Sequence, residues 1–138
     1  MPITFERVPG EPILIVSTVG GLTVEGMHEI FARSAQIQRE IGDILYRITD
    51  NTLLDIGAQD FINIIQLAQT AGRDLPGSSA DPNIRAVLVA SNRWTLLFRE
   101  ALSQPQFGGV FLPVFETRQS ALAYVHLQLA KLQDEATA

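Results

Sequence analysis

One run of residues constrains this chain more than any other: Ile44-Leu45-Tyr46-Arg47-Ile48-Thr49-Asp50. Compact, apolar and rich in branched and aromatic side chains, it reads as a buried central strand. Behind it, Asn51-Thr52-Leu53-Leu54-Asp55-Ile56-Gly57 reads as a polar turn returning to apolar residues, and Phe61, Ile64, Ile65 and Ala68 then recur at helical spacing. The unit is strand, loop, helix. In α/β proteins ligands and partners meet the loops at the carboxyl ends of such strands, so this junction is the first place to look for chemistry.

On the amino-terminal side, Ile3 to Val8 alternates as a strand, Pro9-Gly10-Glu11-Pro12 supplies a turn, and Ile13 to Val19 forms the second arm of an antiparallel hairpin. Gly20-Gly21 ends that arm. Thr23 suits a helix N-cap, with Leu22 and Met27 spaced for a hydrophobic staple. The helix that follows carries Met27, Ile30, Phe31, Ser34, Ile37 and Ile41 inward, turns Glu29, Arg33, Gln36 and Glu40 to water, and stops at Gly42-Asp43.

On the carboxyl-terminal side, Gly72 to Asn83 is dense in turn formers and reads as a long surface loop. Ile84 to Ala90 is another buried strand. Ser91 or Asn92 then caps a helix whose inner stripe is Trp94, Leu97, Phe98 and Ala101. Gln104 to Gly109 breaks the pattern, and Val110 to Phe115 makes a last strand in which Pro113 removes a ladder donor, which argues for a sheet edge. Thr117 caps a final helix with Ala121, Leu122, Val125, Leu129 and Leu132 inward, and residues 134–138 are expected to fray.

The order ββαβαβαβα predicts an α/β domain, a mixed and mostly parallel sheet joined by right-handed crossovers and covered by amphipathic helices. At 138 residues and 46% hydrophobic content, residues 1–138 make one domain, large enough to bury about two thirds of the surface its unfolded chain exposes. With Cys 0 there is no disulfide, thiolate nucleophile or Cys-ligated metal. A net charge of -5 opposes binding to nucleic acid or anionic lipid, both of which depend on clustered Lys and Arg. No apolar run approaches the ~20 residues of a membrane span, and the amino terminus lacks the regions of a signal peptide, so the expected location is the cytoplasm.

The hairpin, the Ile44 to Asp50 strand running through Asp55-Ile56-Gly57 into a helix, and the Val87-Leu88-Val89 strand leading to Trp94 resemble the STAS-like (SpoIIAA-like), anti-sigma-factor-antagonist fold over nearly the whole chain. More narrowly, Tyr46-Arg47-Ile48-Thr49-Asp50, Ala80-Asp81-Pro82 and the ending from Thr117 to Tyr124 resemble small uncharacterised bacterial proteins grouped with that fold. The resemblance implies a regulatory or protein-interaction module without enzymatic activity. It also implies a test: phosphorylatable members carry Ser or Thr after an aspartate at the start of the helix behind the central strand. Here Asp55 is followed by Ile56 and Gly57, which have no hydroxyl. Thr52 is the nearest hydroxyl, and turn chemistry accounts for it.

The candidate partner or ligand loops are therefore Asp50, Asn51, Thr52 and Asp55 behind one strand, and Ser91, Asn92, Arg93 and Trp94 behind the next. Each has a plain structural reading beside the functional one. Asp55 serves as a helix N-cap, Ser91 caps, Arg93 is solvated or ion-paired, and Trp94 joins the core. His28 and His126 lie far apart without the HExxH spacing of a metal site, Gly20-Gly21 and Gly108-Gly109 lack phosphate-cradling patterns, and no Gly-x-Ser-x-Gly elbow exists. No cofactor is expected. Three readings follow. The leading one is a module that docks a protein partner or its own copy through a helix face or the loops at the strand ends, and apolar residues such as Tyr124, Leu127, Leu96 and Leu102 left outside the core would make a homodimer its simplest form. The alternative is a binder of a small apolar or lipid-like ligand, in a cavity between sheet and helices lined by Phe31, Phe61, Ile65 and Trp94, as some relatives of this fold class bind lipids. The third is an enzyme using Asp50, Asp55 and Arg93, for which no base and nucleophile pair is visible.

Overall fold

The computed structural model of the chain describes residues 3–71, 75–90, 97, 100 and 112–137. In chain order the elements are β1 (Ile3–Arg7), β2 (Ile13–Gly20), α1 (Val24–Ile41), β3 (Leu45–Leu54), α2 (Ala58–Ala71), β4 (Ile84–Val89), β5 (Val114–Phe115) and α3 (Arg118–Thr137). Among the described residues the strands form one five-stranded sheet in the order β1-β2-β3-β4-β5. Only the β1–β2 hairpin is antiparallel; the other three pairings are parallel. This is the expected mixed, mostly parallel α/β sheet, with β3 at its centre.

Two cores sandwich the sheet, because side chains alternate between its faces. Leu14, Val16, Leu45 and Ile84 meet Ile30, Phe31 and Ile37 of α1 and Ile64 of α2. Ile13, Ile15, Tyr46, Ile48, Val87 and Val89 meet Ala121 and Val125 of α3 on the other face. Each fully buried Leu, Ile or Val side chain contributes about 1.5–3 kcal/mol of transfer free energy, which is why the central strands are apolar on both sides. Ile48, 0% exposed, is among the fully buried side chains of the second core, where a truncation to Ala would leave a cavity.

Local signals explain the helix ends. Thr23 Oγ1 accepts from the Gly26 amide at 3.1 Å, capping α1 as its sequence suggests. At the other end Gly42 adopts φ 76° and donates its N–H to the Gln38 carbonyl, the left-handed stop that glycine supplies. The Thr117 hydroxyl accepts from the Ser120 amide at 3.1 Å and starts α3.

Several expectations need correction. β3 does not turn at Asn51 but continues to Leu54. Asp55 does not cap α2, which begins three residues later at Ala58, with the Gly57 carbonyl accepting from the Phe61 amide. The stretch from Leu75 to Asn83 is less a surface loop than expected: Gly77 and Ser78 are buried. Leu132 is 44% exposed, not inward. Leu97, placed on an inner stripe, is exposed. The rest of that helix, with Ser91, Asn92, Arg93, Trp94 and Leu102, lies largely outside the described residues, as do Val110 and Phe111 of the last strand. β5 lies at one border of the described sheet, and Pro113 just before it accepts from the Leu88 amide. A residue without an N–H fits that position.

Candidate functional site

A bulge at the carboxyl end of the central strand organises the site. Ser17 pairs with Asp50 and Val19 with Leu53, so the single residue Thr18 faces two, Asn51 and Thr52. The extra residue shifts the alternation and lets the strand run on through polar residues that would otherwise read as a turn. Thr18, 1% exposed, donates from its hydroxyl to Asn51 Oδ1 at 2.7 Å, so the Asn51 side chain is held inside the fold. Successive residues then point to opposite faces, and two distinct arrangements result.

On the α3 face is Asp50. Arg118, the first residue of α3, donates from Nε to Asp50 Oδ2 at 2.6 Å and from a terminal nitrogen to the Ser17 hydroxyl. The Thr52 hydroxyl and amide both donate to Asp50 Oδ1, at 2.7 and 3.0 Å. Burial alone would raise the Asp50 carboxyl, but the hydrogen bonds from Arg118 and Thr52 and the charge of Arg118 outweigh it and hold the carboxyl below its ordinary range. A carboxylate kept ionised in this way is poorly suited to deliver a proton at neutral pH.

On the α1/α2 face, two residues toward the amino terminus from Thr49, stands Arg47, a residue sequence reasoning left inside the strand without a role. It is 3% exposed. One terminal nitrogen donates to Ser34 Oγ at 3.1 Å and to the Gly77 carbonyl, and the other donates to Ser79 Oγ at 3.1 Å. The Phe31 ring centre lies 5.7 Å from the guanidinium carbon, within cation–π range. Among the described residues no carboxylate bonds to it. Burial pushes its pKa down to about 10, partly offset by the charge of Asp81, so the group is still a cation at pH 7. Its Nε is buried and has no hydrogen-bond partner. Buried donors are nearly always satisfied, so an orphan on a charged group is uncommon.

The loop that holds Arg47 is itself built with care. Asp81 accepts from the Gly77 amide at 2.7 Å and from the Asn83 amide at 2.9 Å, closing the turn. Gly77 has φ 81°, and a Cβ there would collide with the Phe31 backbone carbonyl of α1. Only glycine brings its own carbonyl this close to Arg47.

Beside Arg47 lies a cavity of about 50 Å³. Its apolar wall includes Leu22, Ile30, Phe61, Ile64, Leu88 and Leu112. Arg47, Thr49, Asn51 and Ser79 provide its polar part. An apolar cavity between sheet and helices was one of the sequence expectations, with Phe61 in its wall. Of the other residues expected there, Phe31 instead packs in the core and against Arg47, while Trp94 and the Ile65 side chain lie outside the described residues. The space is far below the ~300–1,000 Å³ of pockets for drug-sized molecules, which argues against a lipid as occupant.

Of the expected loop residues, then, Asp50 and Thr52 come together, Asn51 turns to the opposite face into the cavity, and Asp55 stands exposed with its amide donating to the Gly20 carbonyl. Ile56, the residue where a phosphorylatable hydroxyl would be expected, is 8% exposed and part of the core. His126 pairs with Glu11 at 2.8 Å on the surface. Among the described residues no cluster of His, Asp and Glu could hold a metal ion, and no helix is long and apolar enough to cross a membrane. Tyr124, expected on the outside, packs against Phe115 with ring centres 5.2 Å apart; Leu127 is exposed as expected.

No protein-family model matches the sequence, and no curated protein does. Solved structures do match. An uncharacterised DUF3478-family protein with a SpoIIAA-like fold from Shewanella loihica superposes with a TM-score of 0.52 and 16% identity, over 88% of this chain and 90% of that one. An anti-sigma factor antagonist from Mycobacterium paratuberculosis gives a TM-score of 0.48 and 13% identity, over 90% and 92% of the two chains. The fold of this chain is STAS-like, of the SpoIIAA type. That is the class the hairpin, the parallel strands and their helices had suggested.

Proposed function

We propose that this chain is a non-enzymatic binding domain that holds a small amphipathic ligand between its sheet and the α1/α2 helices. The observation that carries the reading is the cavity, which brings the buried Arg47 together with an apolar wall at the centre of the fold. Binding sites of this kind combine mostly apolar lining with a few placed polar groups. The absence of a hydroxyl at Ile56 and Gly57 supports ligand control in place of phosphorylation at the helix start. We place this activity in the cytoplasm, in line with a net charge of -5 and no cysteine.

Methyl-resolved NMR with a set of small molecules, including benzene and short organic acids, tests this. Methyl resonances of Ile64 and Leu88 shift with at least one member, and Ile64→Phe, which fills the space, abolishes the shift. Silence of both methyls toward every member overturns the reading.

A second reading, a surface that docks a protein partner or a second copy, is favoured by one observation. Val19 and Leu53 are register partners at the carboxyl end of the sheet, and they are 50% and 67% exposed. Two adjacent large apolar side chains in water are a start toward an interface.

A further inference from the structure

The Thr49 hydroxyl specifies the ligand of the cavity more narrowly. We propose that the cavity takes a small uncharged molecule with one oxygen, a short alcohol or ketone, whose oxygen bonds the Thr49 hydroxyl while its carbon end lies against Ile64, Phe61 and Leu88. The inference rests on the binding-domain reading above and deepens it.

Three observations converge. First, Thr49 offers an accessible hydroxyl. Its register partners Val16 and Leu88 are 0% and 6% exposed, and Ile48 beside it is 0% exposed, yet Thr49 is only half-buried. It stands in a central strand covered on both faces, so the surface it keeps lies in the cavity it lines. Among the described residues nothing bonds to its hydroxyl, and that oxygen is not one of the unpartnered atoms sealed from solvent. Ser79 adds a second donor: its oxygen accepts from Arg47, and among the described residues no acceptor takes its proton. Two neutral donors suit a neutral acceptor.

Second, the charge at the site is already matched. Both terminal nitrogens of Arg47 are hydrogen-bonded, and the Asp81 charge acts on the guanidinium. A charged ligand would lose its hydration against an apolar wall, which is costly.

Third, the volume sets the length. A cavity of about 50 Å³ corresponds to roughly four waters at about 10–15 Å³ each, room for a molecule of about that many heavy atoms. A water needs two or more polar partners, so one beside Thr49 and Ser79 is well held, whereas the others would meet hydrocarbon. One oxygen joined to three carbons matches that division. Acetone and propan-2-ol fit the description, and a long acyl chain does not.

Methyl-resolved NMR titration of the full chain with four molecules of similar shape and size, acetone, propan-2-ol, isobutane and acetate, provides the test. The expected result is a saturable shift of the Ile64 and Leu88 methyls with acetone, propan-2-ol or both, and none with acetate. Thr49→Val keeps the wall and removes the hydroxyl, so it weakens binding of the oxygen-bearing neutral molecules by about tenfold and leaves that of isobutane unchanged. Should Thr49→Val fail to fold, acetate decides on the unmodified chain: binding as tight as that of acetone overturns the proposal. Acetone and propan-2-ol binding that survives Thr49→Val undiminished overturns it too. Binding of isobutane alone overturns the proposal while leaving the cavity a ligand site. No shift with any of the four overturns both.

Discussion

Arg47 and Gly77 hold each other in place: the guanidinium of the central strand donates to the glycine carbonyl, and the glycine reaches that position only because it lacks a side chain. The contact ties β3 to the loop before β4 across 30 residues of sequence. Gly77→Ala therefore meets two penalties at once, a left-handed backbone at φ 81° and an overlap with the Phe31 carbonyl of a packed helix. The expected cost is about 3 kcal/mol or more, the sum of a strained backbone and a displaced contact. Urea unfolding followed by circular dichroism measures it. A loss below about 1 kcal/mol would show that the loop can move away from α1 cheaply.

Arg47 itself separates packing from charge. Arg47→Ala strips the Gly77 carbonyl and the Ser34 and Ser79 hydroxyls of a donor and enlarges the cavity. Each stranded buried group costs about 1–3 kcal/mol, so a total near 3 kcal/mol is expected even after partial relaxation. Arg47→Met fills much of the same space and removes a desolvated cation, which offsets part of the loss. It should unfold at a higher urea concentration than the alanine variant. The reverse order would mean that the charge stabilises the fold, with the nearby Asp81 as its counter-charge.

How much of this was legible in the sequence differs residue by residue. Leu45, Tyr46 and Ile48 announced a strand because branched and aromatic residues crowd together there, and the β1–β2 hairpin announced itself through alternation and Pro9-Gly10. The end of β3 was misread because Asn51 and Thr52 favour turns when exposed, whereas here Thr18 bonds the Asn51 side chain inside the sheet and a bulge absorbs the extra residue. Arg47 carried a signal that went unused. A central strand covered by helices on both faces has no wet side, so a charge within it must be buried and must find partners. Those partners, Ser34, Gly77 and Ser79, come from two other segments, and no local pattern reveals such a meeting. The role of Gly77 was hidden for the same reason: a glycine beside Pro76 reads as a turn, and its closeness to α1 is a fact of tertiary packing.

Asp50 makes a prediction about pH. Its folded-state carboxyl is lowered, so it contributes stability that is present above the ordinary carboxylate pKa of about 3.9 and is lost as pH falls through the folded value. Thr52→Val removes the 2.7 Å hydroxyl bond and Arg118→Met the ion pair, and each moves the Asp50 titration back toward the ordinary range. Carboxyl-carbon NMR from pH 2 to 6 reads the shift directly. Because Arg118 is half-exposed, the pair is expected to contribute no more than about 1 kcal/mol and to weaken with salt. An Asp50 titration that neither substitution moves would mean that the bonds around it do not set its proton affinity.

The exposed apolar residues distinguish two ways in which the chain could self-associate. Leu127 on the outer side of α3 is 55% exposed, but Tyr124, which was expected to extend an apolar patch beside it, is engaged with Phe115. Val19 and Leu53 are paired in register on neighbouring strands and are 50% and 67% exposed, so they place two large apolar side chains side by side. A self-complementary patch needs only a two-fold axis to bury itself, and a dimer is the simplest outcome. Light scattering after size exclusion, from low micromolar to about a hundredfold higher concentration, is expected to show a dimer. Leu53→Asp dissociates it and leaves the circular dichroism unchanged, since the side chain already lies in water, whereas Leu127→Asp has no effect. A monomer at every concentration removes the dimer, and dissociation by Leu127→Asp alone moves the interface from the sheet end to α3.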